Sequence, residues 1–351
     1  MAVQTGAEAE GSARTGPAGP SQFSDAGSPA ISVSKLTKRY GDLEAVRGID
    51  FEVRRGETFG FLGPNGAGKS TTISILCTLV KPTSGTAMVA GHNVVTDRDT
   101  VRRNIGLVFQ DTTLDTYLTA EQNLRFHADL YGVPKAAFAP RMRQVLEMVG
   151  LWERRGNVVG TYSGGMQRRL EIARGLLHAP RVLFLDEPTV GLDPQTRVSI
   201  WDYINDLKGR EDITIFLTTH YMDEAENCDR IAIIDHGQIV AIDTPEALKA
   251  SIAKDRVQIS TADDQAAIRA LTDVFGIDAG LHENLVTFSV ESGEHFVPQL
   301  FARLPQAIRS VSVSRPSLDD VFMSYTGKTI RDAEASIGDR NRRVATRFGR
   351  R

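Results

Sequence analysis

The hydrophobic period of this chain switches several times, and each switch marks an element. Residues 31–36 and 49–53 alternate apolar and polar, as half-buried strands do, with a turn at Gly41-Asp42 between them. Residues 57–62, 182–188 and 213–220 instead carry short continuous apolar runs, the pattern of strands buried on both faces of a parallel sheet. Residues 86–90 and 105–110 read as two further strands, and 72–79 as a buried helix closed by the turn Lys81-Pro82-Thr83-Ser84-Gly85. From 119 to 149 the period becomes helical: Thr119-x-x-Gln122 is a capping box, and Ala120, Leu124, Ala128 and Tyr131 follow on one face. Gly132-Val133-Pro134 breaks that helix, and Met142, Val145, Leu146 and Val149 mark the next. Ser163 caps a third helix, with Met166, Leu170, Ala173 and Leu177 as its buried stripe and Arg168, Arg169 and Arg174 away from it. A helix spans 195–207, a hairpin joins 230–235 to 238–242 through His236-Gly237, and Thr244-Pro245 opens another helix. Beyond 254 short alternating strands (257–259, 285–290, 308–313) mix with helical stretches (266–275, 297–304).

These patterns predict an α/β domain over 31–253 with a mixed sheet and a helical insert at about 111–178. A small α+β domain follows over 254–327. Residues 1–30, rich in Gly, Ala, Ser and Pro, read as a disordered tail. Residues 328–351, with eight Lys/Arg against three Asp/Glu, read as a basic, solvated one. The 351 residues carry a net charge of −3, so no global field argues for nucleic acid. Cys77 and Cys228 are far apart and outside any C-x-x-C, which fits a reducing compartment. With no apolar run of about 18 residues and no secretory signal, a cytosolic chain is expected.

The chemistry starts at Gly63-Pro64-Asn65-Gly66-Ala67-Gly68-Lys69-Ser70-Thr71, which fits G-x-x-x-x-G-K-[ST] between an apolar strand and a helix start. Glycines let the backbone wrap phosphates, and the N–H groups of a helix N-terminus point at them. Lys69 is placed for the β- and γ-phosphates of a nucleotide and Ser70 for Mg²⁺. Asp186 and Glu187 end an apolar strand, where an α/β sheet holds its ligand. The first suits Mg²⁺, and the second can orient and deprotonate a water. Ser163-Gly164-Gly165 is a second helix terminus able to face an anion. Tyr40, at a strand end, offers a ring for adenine, and Gln110, at another, an amide oxygen for Mg²⁺ or water. Asp193 lies in the tight loop Gly191-Leu192-Asp193-Pro194, and His220 ends its strand beside the presumed site.

Together these motifs resemble the ATP-binding-cassette ATPases over residues 31–245. The resemblance implies a P-loop NTPase cassette using ATP and Mg²⁺, with Tyr40 stacking on adenine, Gly63 to Thr71 as Walker A and Gln110 as the Q-loop residue. It makes Asp186 the Walker B aspartate, Glu187 the general base, Asp193 the D-loop acid and His220 the switch histidine. Ser163, Gly164 and Gly165 would contact the γ-phosphate of ATP held by a partner subunit, in an ATP-dependent homodimer. The commonest signature is L-S-G-G-Q, whereas here Tyr162 and Met166 flank the Ser-Gly-Gly core. That variant, E-P-T-V-G-L-D-P-Q-T-R, and Arg315-Pro316-Ser317-Leu318-Asp319-Asp320-Val321-Phe322 are similar to the daunorubicin-resistance exporter ATPases. The implied role is an ATPase subunit at the cytoplasmic face of the membrane, driving drug or antibiotic export through a separate permease. The alternatives are a soluble cassette acting on ribosomes or DNA, against which one P-loop and no sustained heptads count, and an importer subunit, against which the C-terminal motif counts. A GTPase would need [NT]-K-x-D, which is absent.

Overall fold

The computed structural model describes residues 28–210, 213–252, 254–282 and 284–327. The tails expected at 1–30 and 328–351 lie outside them except for 28–30, and Ala30 is already buried with its N–H bonded to Val53 O at 2.8 Å. The chain runs β1 (Ile31–Tyr40), β2 (Leu43–Val53), β3 (Thr58–Leu62), α1 (Lys69–Leu76), β4 (Ser84–Val89), β5 (His92–Asn93), α2 (Arg98–Asn104) and β6 (Ile105–Val108). Next come α3 (Ala120–Leu130), α4 (Lys135–Met148), α5 (Gly164–Leu176), β7 (Val182–Asp186), α6 (Pro194–Arg210), β8 (Thr214–Thr219) and α7 (Met222–Ala225). Then follow β9 (Arg230–Asp235), β10 (Gln238–Asp243), α8 (Pro245–Ile252), β11 (Asp255–Thr261), α9 (Asp264–Phe275), β12 (Gly280–His282), β13 (Leu285–Val290), α10 (Gly293–Arg303), β14 (Ile308–Ser314) and α11 (Leu318–Thr326).

A six-stranded sheet in the order β10-β9-β3-β8-β7-β6 is parallel from β9 to β6, with β10 antiparallel at one edge. Its strands are apolar on both faces because each face meets a different core. On β7, Val182 and Phe184 join one cluster and Leu183 and Leu185 the other. The first core lies toward the antiparallel sheet β2-β1-β4-β5 and α1. At its centre Phe51, Phe59, Phe61, Phe184 and Phe216 pack with neighbouring ring centroids 5.5–6.1 Å apart. Truncating a buried ring such as Phe216 typically costs about 3–5 kcal/mol. The second core holds α3, α4, α5 and α6 against the opposite face. The Thr119 box forms as its spacing predicts, with Gln122 N donating to Thr119 Oγ1 and Thr119 N to Gln122 Oε1.

The antiparallel sheet β12-β13-β11-β14 has its own core, in which Val257, Ile259, Val286 and Phe288 pack against Leu271 of α9 and Leu300 of α10. The last helix does not join it. Leu318, Val321 and Phe322 of α11 are fully buried in the cassette core alongside Leu248 of α8. A Ser317–Asp320 capping box starts α11, and Arg256 of β11 pairs with Asp320 at 3.3 Å. The chain thus leaves the cassette at β11 and returns at α11. Among the described residues no helix is long and apolar enough to cross a membrane.

Candidate functional site

In the six-stranded sheet Leu62 lies opposite Thr219, and Asp186 opposite Thr218, so β3, β7 and β8 end in one layer. The loops that leave them carry the predicted residues. Gly63 follows β3 with its N–H on Thr219 O at 3.2 Å, and a Cβ there would lie 2.3 Å from Ile234 O, closer than atoms approach. Gly68 has φ 109° and would place a Cβ 2.5 Å from Ala45 O. Sheet backbone on two sides therefore forces glycine at both ends of the loop. Pro64, Ala67 and Gly68 are buried, whereas Asn65 and Gly66 are exposed and Thr71 half-buried.

Lys69 opens α1 and is only 4% exposed. Its ammonium donates to Gly63 O at 2.7 Å and Pro64 O at 3.3 Å, and pairs with Glu187 Oε1 at 3.1 Å. His220 Nδ1 lies 3.3 Å from that same oxygen. Burial alone would raise the Glu187 carboxyl, but the His220 ring beside it and the charge of Lys69 hold it below the usual range. Asp186 goes the other way: burial pushes it up, against the opposing hydrogen bond from Thr218. Thr218 Oγ1 donates to Asp186 Oδ1 at 2.5 Å and accepts from Glu187 N at 3.0 Å, so one hydroxyl sets both acids. Ser70 Oγ reaches Asp186 Oδ1 at 3.4 Å. That pair is made of hard oxygen donors, which suits Mg²⁺ with phosphate and water completing its shell. Among the described residues no group of three or more His, Cys, Asp or Glu forms a metal cage.

The fold thus brings together Lys69, Ser70, Asp186, Glu187 and His220. Gln110 is exposed two residues beyond β6, whose last residue, Val108, pairs with Leu185. Tyr40 is 47% exposed at the far end of β1, with Lys38 Nζ 4.8 Å from its ring centroid. Ser163 and Gly164 are exposed, and Gly165 half-buried, at the start of the 13-residue α5, where Ser163 Oγ accepts from Met166 N at 3.3 Å. A Cβ on Gly164 would meet nothing nearer than Leu192 Cδ2 at 3.7 Å. Asp193 is exposed and caps α6, accepting from Thr196 N at 3.0 Å and Thr196 Oγ1 at 2.6 Å, which keeps its carboxyl low.

Other groups at the site were not singled out by the sequence. Arg168 is buried rather than turned away from the core, and its guanidinium meets the backbone beside Asp186 and Glu187. Its Arg168-x-x-Glu171 spacing was the available signal, since residues three apart on a helix are neighbours. Thr189 Oγ1 donates to the buried Glu224, whose carboxyl burial pushes up to about 7. Thr218 carried no signal beyond its place at a strand end.

Comparison with known proteins bears on the family. Residues 46–190 match the model of the ABC transporter family, and residues 244–326 that of the DrrA1-3-like ATP-binding protein C-terminal domain. The daunorubicin/doxorubicin resistance ATP-binding protein DrrA of Streptomyces peucetius is 39% identical over 325 residues, 90% of this chain and 98% of that one. The linearmycin resistance ATP-binding protein LnrL of Bacillus subtilis is 38% identical over 86% of this chain and its own full length. Among solved structures, CbiO1 of Clostridium perfringens, part of the ABC transporter complex CbiONQ, superposes with a TM-score of 0.60 at 29% identity. That match covers 64% of this chain and 92% of CbiO1. With the strand-end site and near full-length relatives in agreement, the chain belongs to the ATP-binding proteins of the ABC transporter family, in the branch bearing a DrrA-like C-terminal domain.

Proposed function

We propose that this chain hydrolyses ATP as one of two identical subunits driving a separate membrane permease that exports drugs or antibiotics. The observation that carries the reading is the meeting of Lys69, Ser70, Asp186, Glu187 and His220 where three adjacent parallel strands end. The triphosphate lies along residues 63–71, with adenine on the exposed Tyr40 ring. Lys69 gives up Glu187 for the β- and γ-phosphates, a stronger charge-assisted partner. Glu187, released from that ion pair, takes the proton of the attacking water, and His220 stays within reach of the carboxylate and the γ-phosphate. Ser70, Asp186 and Gln110 would hold Mg²⁺, which would supply positive charge against the phosphates. Ser163, Gly164 and Gly165 face the γ-phosphate of a second copy, and Asp193 stands in the loop beside them.

The relatives' names support drug export over the importer and the ribosome- or DNA-acting alternatives. The chain would sit peripherally at the cytoplasmic face of the membrane. Leu79, Phe126 and Leu130, 49%, 67% and 70% exposed, line a groove of about 470 Å³ between the sheet and α3, the apolar surface we assign to the permease. The test is ATPase activity of the chain copurified with a candidate permease. Daunorubicin or a related antibiotic is expected to raise turnover several-fold and saturably. A flat response across such compounds would remove the drug-export reading and leave the ATPase intact.

A further inference from the structure

Arg168 lies in the second turn of α5, five residues after Ser163, and is 6% exposed. All five of its N–H groups are engaged. Nε donates to Pro188 O at 2.6 Å, and Nη2 to Asp186 O at 3.2 Å and Glu187 O at 3.3 Å. Nη1 donates to Phe109 O and pairs with Glu171 Oε2 at 3.1 Å. Glu171, 1% exposed, returns its other oxygen to Thr113 N at 2.7 Å. A single side chain therefore grips three successive carbonyls around Glu187 and the carbonyl just before Gln110.

The need for that grip is local. Glu187 has φ 46°, a left-handed conformation that a side chain with Cβ resists. It persists only where neighbours over-determine the backbone. Thr218 Oγ1 fixes the N–H of Glu187, and Arg168 fixes its carbonyl together with those on either side. The planar fork of a guanidinium can do this; a lysine ammonium, with three donors on a single nitrogen, cannot span the same set.

The geometry points to Arg168 as a positioning residue for ATP hydrolysis: it holds the Asp186–Pro188 backbone so that the Glu187 carboxylate meets the attacking water. The inference rests on Glu187 being the base of the proposed ATPase. Phosphate binding by Lys69 and the 63–71 loop, between β3 and α1, lies outside the grip of Arg168, whereas Asp186 and Gln110, on the Mg²⁺ side, lie at or beside carbonyls that it holds.

The test is a double-mutant cycle of Arg168→Lys and Glu187→Gln, read as kcat and as ATP affinity of the full chain. Arg168→Lys is expected to lower kcat about tenfold or more, as small misplacements of a reacting group do. ATP affinity measured without Mg²⁺ should stay within about twofold. In the Glu187→Gln background the same change should alter residual turnover less than about twofold, because the group being positioned is gone. A general structural defect would instead lower both backgrounds by the same factor, and that additivity overturns the proposal, as does an unchanged kcat in Arg168→Lys. If Arg168→Lys does not fold, Arg168→Met with Glu171→Gln removes the grip, leaves Arg174 its hydrogen bonds to Thr113, and enters the same cycle under the same criteria. Full turnover by Glu187→Gln alone would refute the base assignment itself, a distinct failure.

Discussion

Two helix N-termini preceded by or containing glycine stand in this cassette, and they differ in how finished they are. The start of α1 is enclosed: Gly63 and Gly68 are held against backbone oxygens, Lys69 is buried, and two acids and a histidine converge on it. The start of α5 is open: Ser163 and Gly164 face solvent, and Gly164 has ordinary room around it. Both present backbone N–H groups to an anion. Only the first has, within one chain, the cation and acids that hydrolysis needs. On the proposed function, the contrast is between one nearly complete half-site and one that would need a second copy's nucleotide.

The largest expected break comes from Lys69→Ala. It removes the cation for the triphosphate and leaves Glu187 buried beside His220 alone, so hydrolysis should vanish and ATP affinity should fall by about 2–3 kcal/mol. Full turnover at saturating MgATP would show that the enclosed terminus is not the reaction site. Next comes Gly63→Ala, whose methyl cannot sit 2.3 Å from Ile234 O. About 1–3 kcal/mol of stability should be lost to backbone shifts, with ATP binding reduced alongside. A thermal melt unchanged from wild type would mean the loop has slack it does not show.

The depth of the enclosed half can also be read through pH. Glu224 is 1% exposed behind the Glu187 turn, with its carboxyl pushed up from 4.5 to about 7, chiefly by burial. A carboxyl with a raised folded-state pKa contributes stability that is fully present below the unfolded value and is lost as pH rises through the folded one. The loss therefore runs from about pH 4.5 to about pH 7 and amounts to roughly 1–3 kcal/mol. Glu224→Gln cannot ionise, so its Tm relative to wild type should climb between pH 5 and pH 8; a constant difference across that range contradicts the buried neutral acid. The smallest effect belongs to Gly164→Ala. With 3.7 Å to the nearest atom it should melt within a few tenths of a kcal/mol of wild type.

Much of this contrast was legible in the sequence because it is written in local patterns. The continuous run of β7 announced a strand with two buried faces, and it has them. The Thr119–Gln122 spacing specified a cap from four residues, and the cap forms. The strand ends gathered Lys69, Asp186, Glu187 and His220 because parallel strands with apolar runs end on one side of the sheet. Long-range contacts were not legible. Arg168 looked like one surface charge among three, because its carbonyl partners lie 18 to 59 residues away. The motif at 315–322 gave no hint that Leu318, Val321 and Phe322 return to the cassette core, since a short amphipathic helix fits either core equally. Helix α2 leaves no periodic signal in the sequence because Val101 is its only buried side chain.

The central claim, that the open terminus of α5 completes the site of a second copy, is tested most directly by size-exclusion chromatography of Glu187→Gln. That variant keeps the shape of the site but lacks the base, so it should retain ATP and run as a dimer with MgATP and as a monomer with MgADP. Adding Gly164→Asp sets a negative charge where the γ-phosphate should lie, in a position with steric room for it. The double variant should bind ATP through Lys69 and run as a monomer. A double variant that still dimerises with MgATP would contradict the shared site.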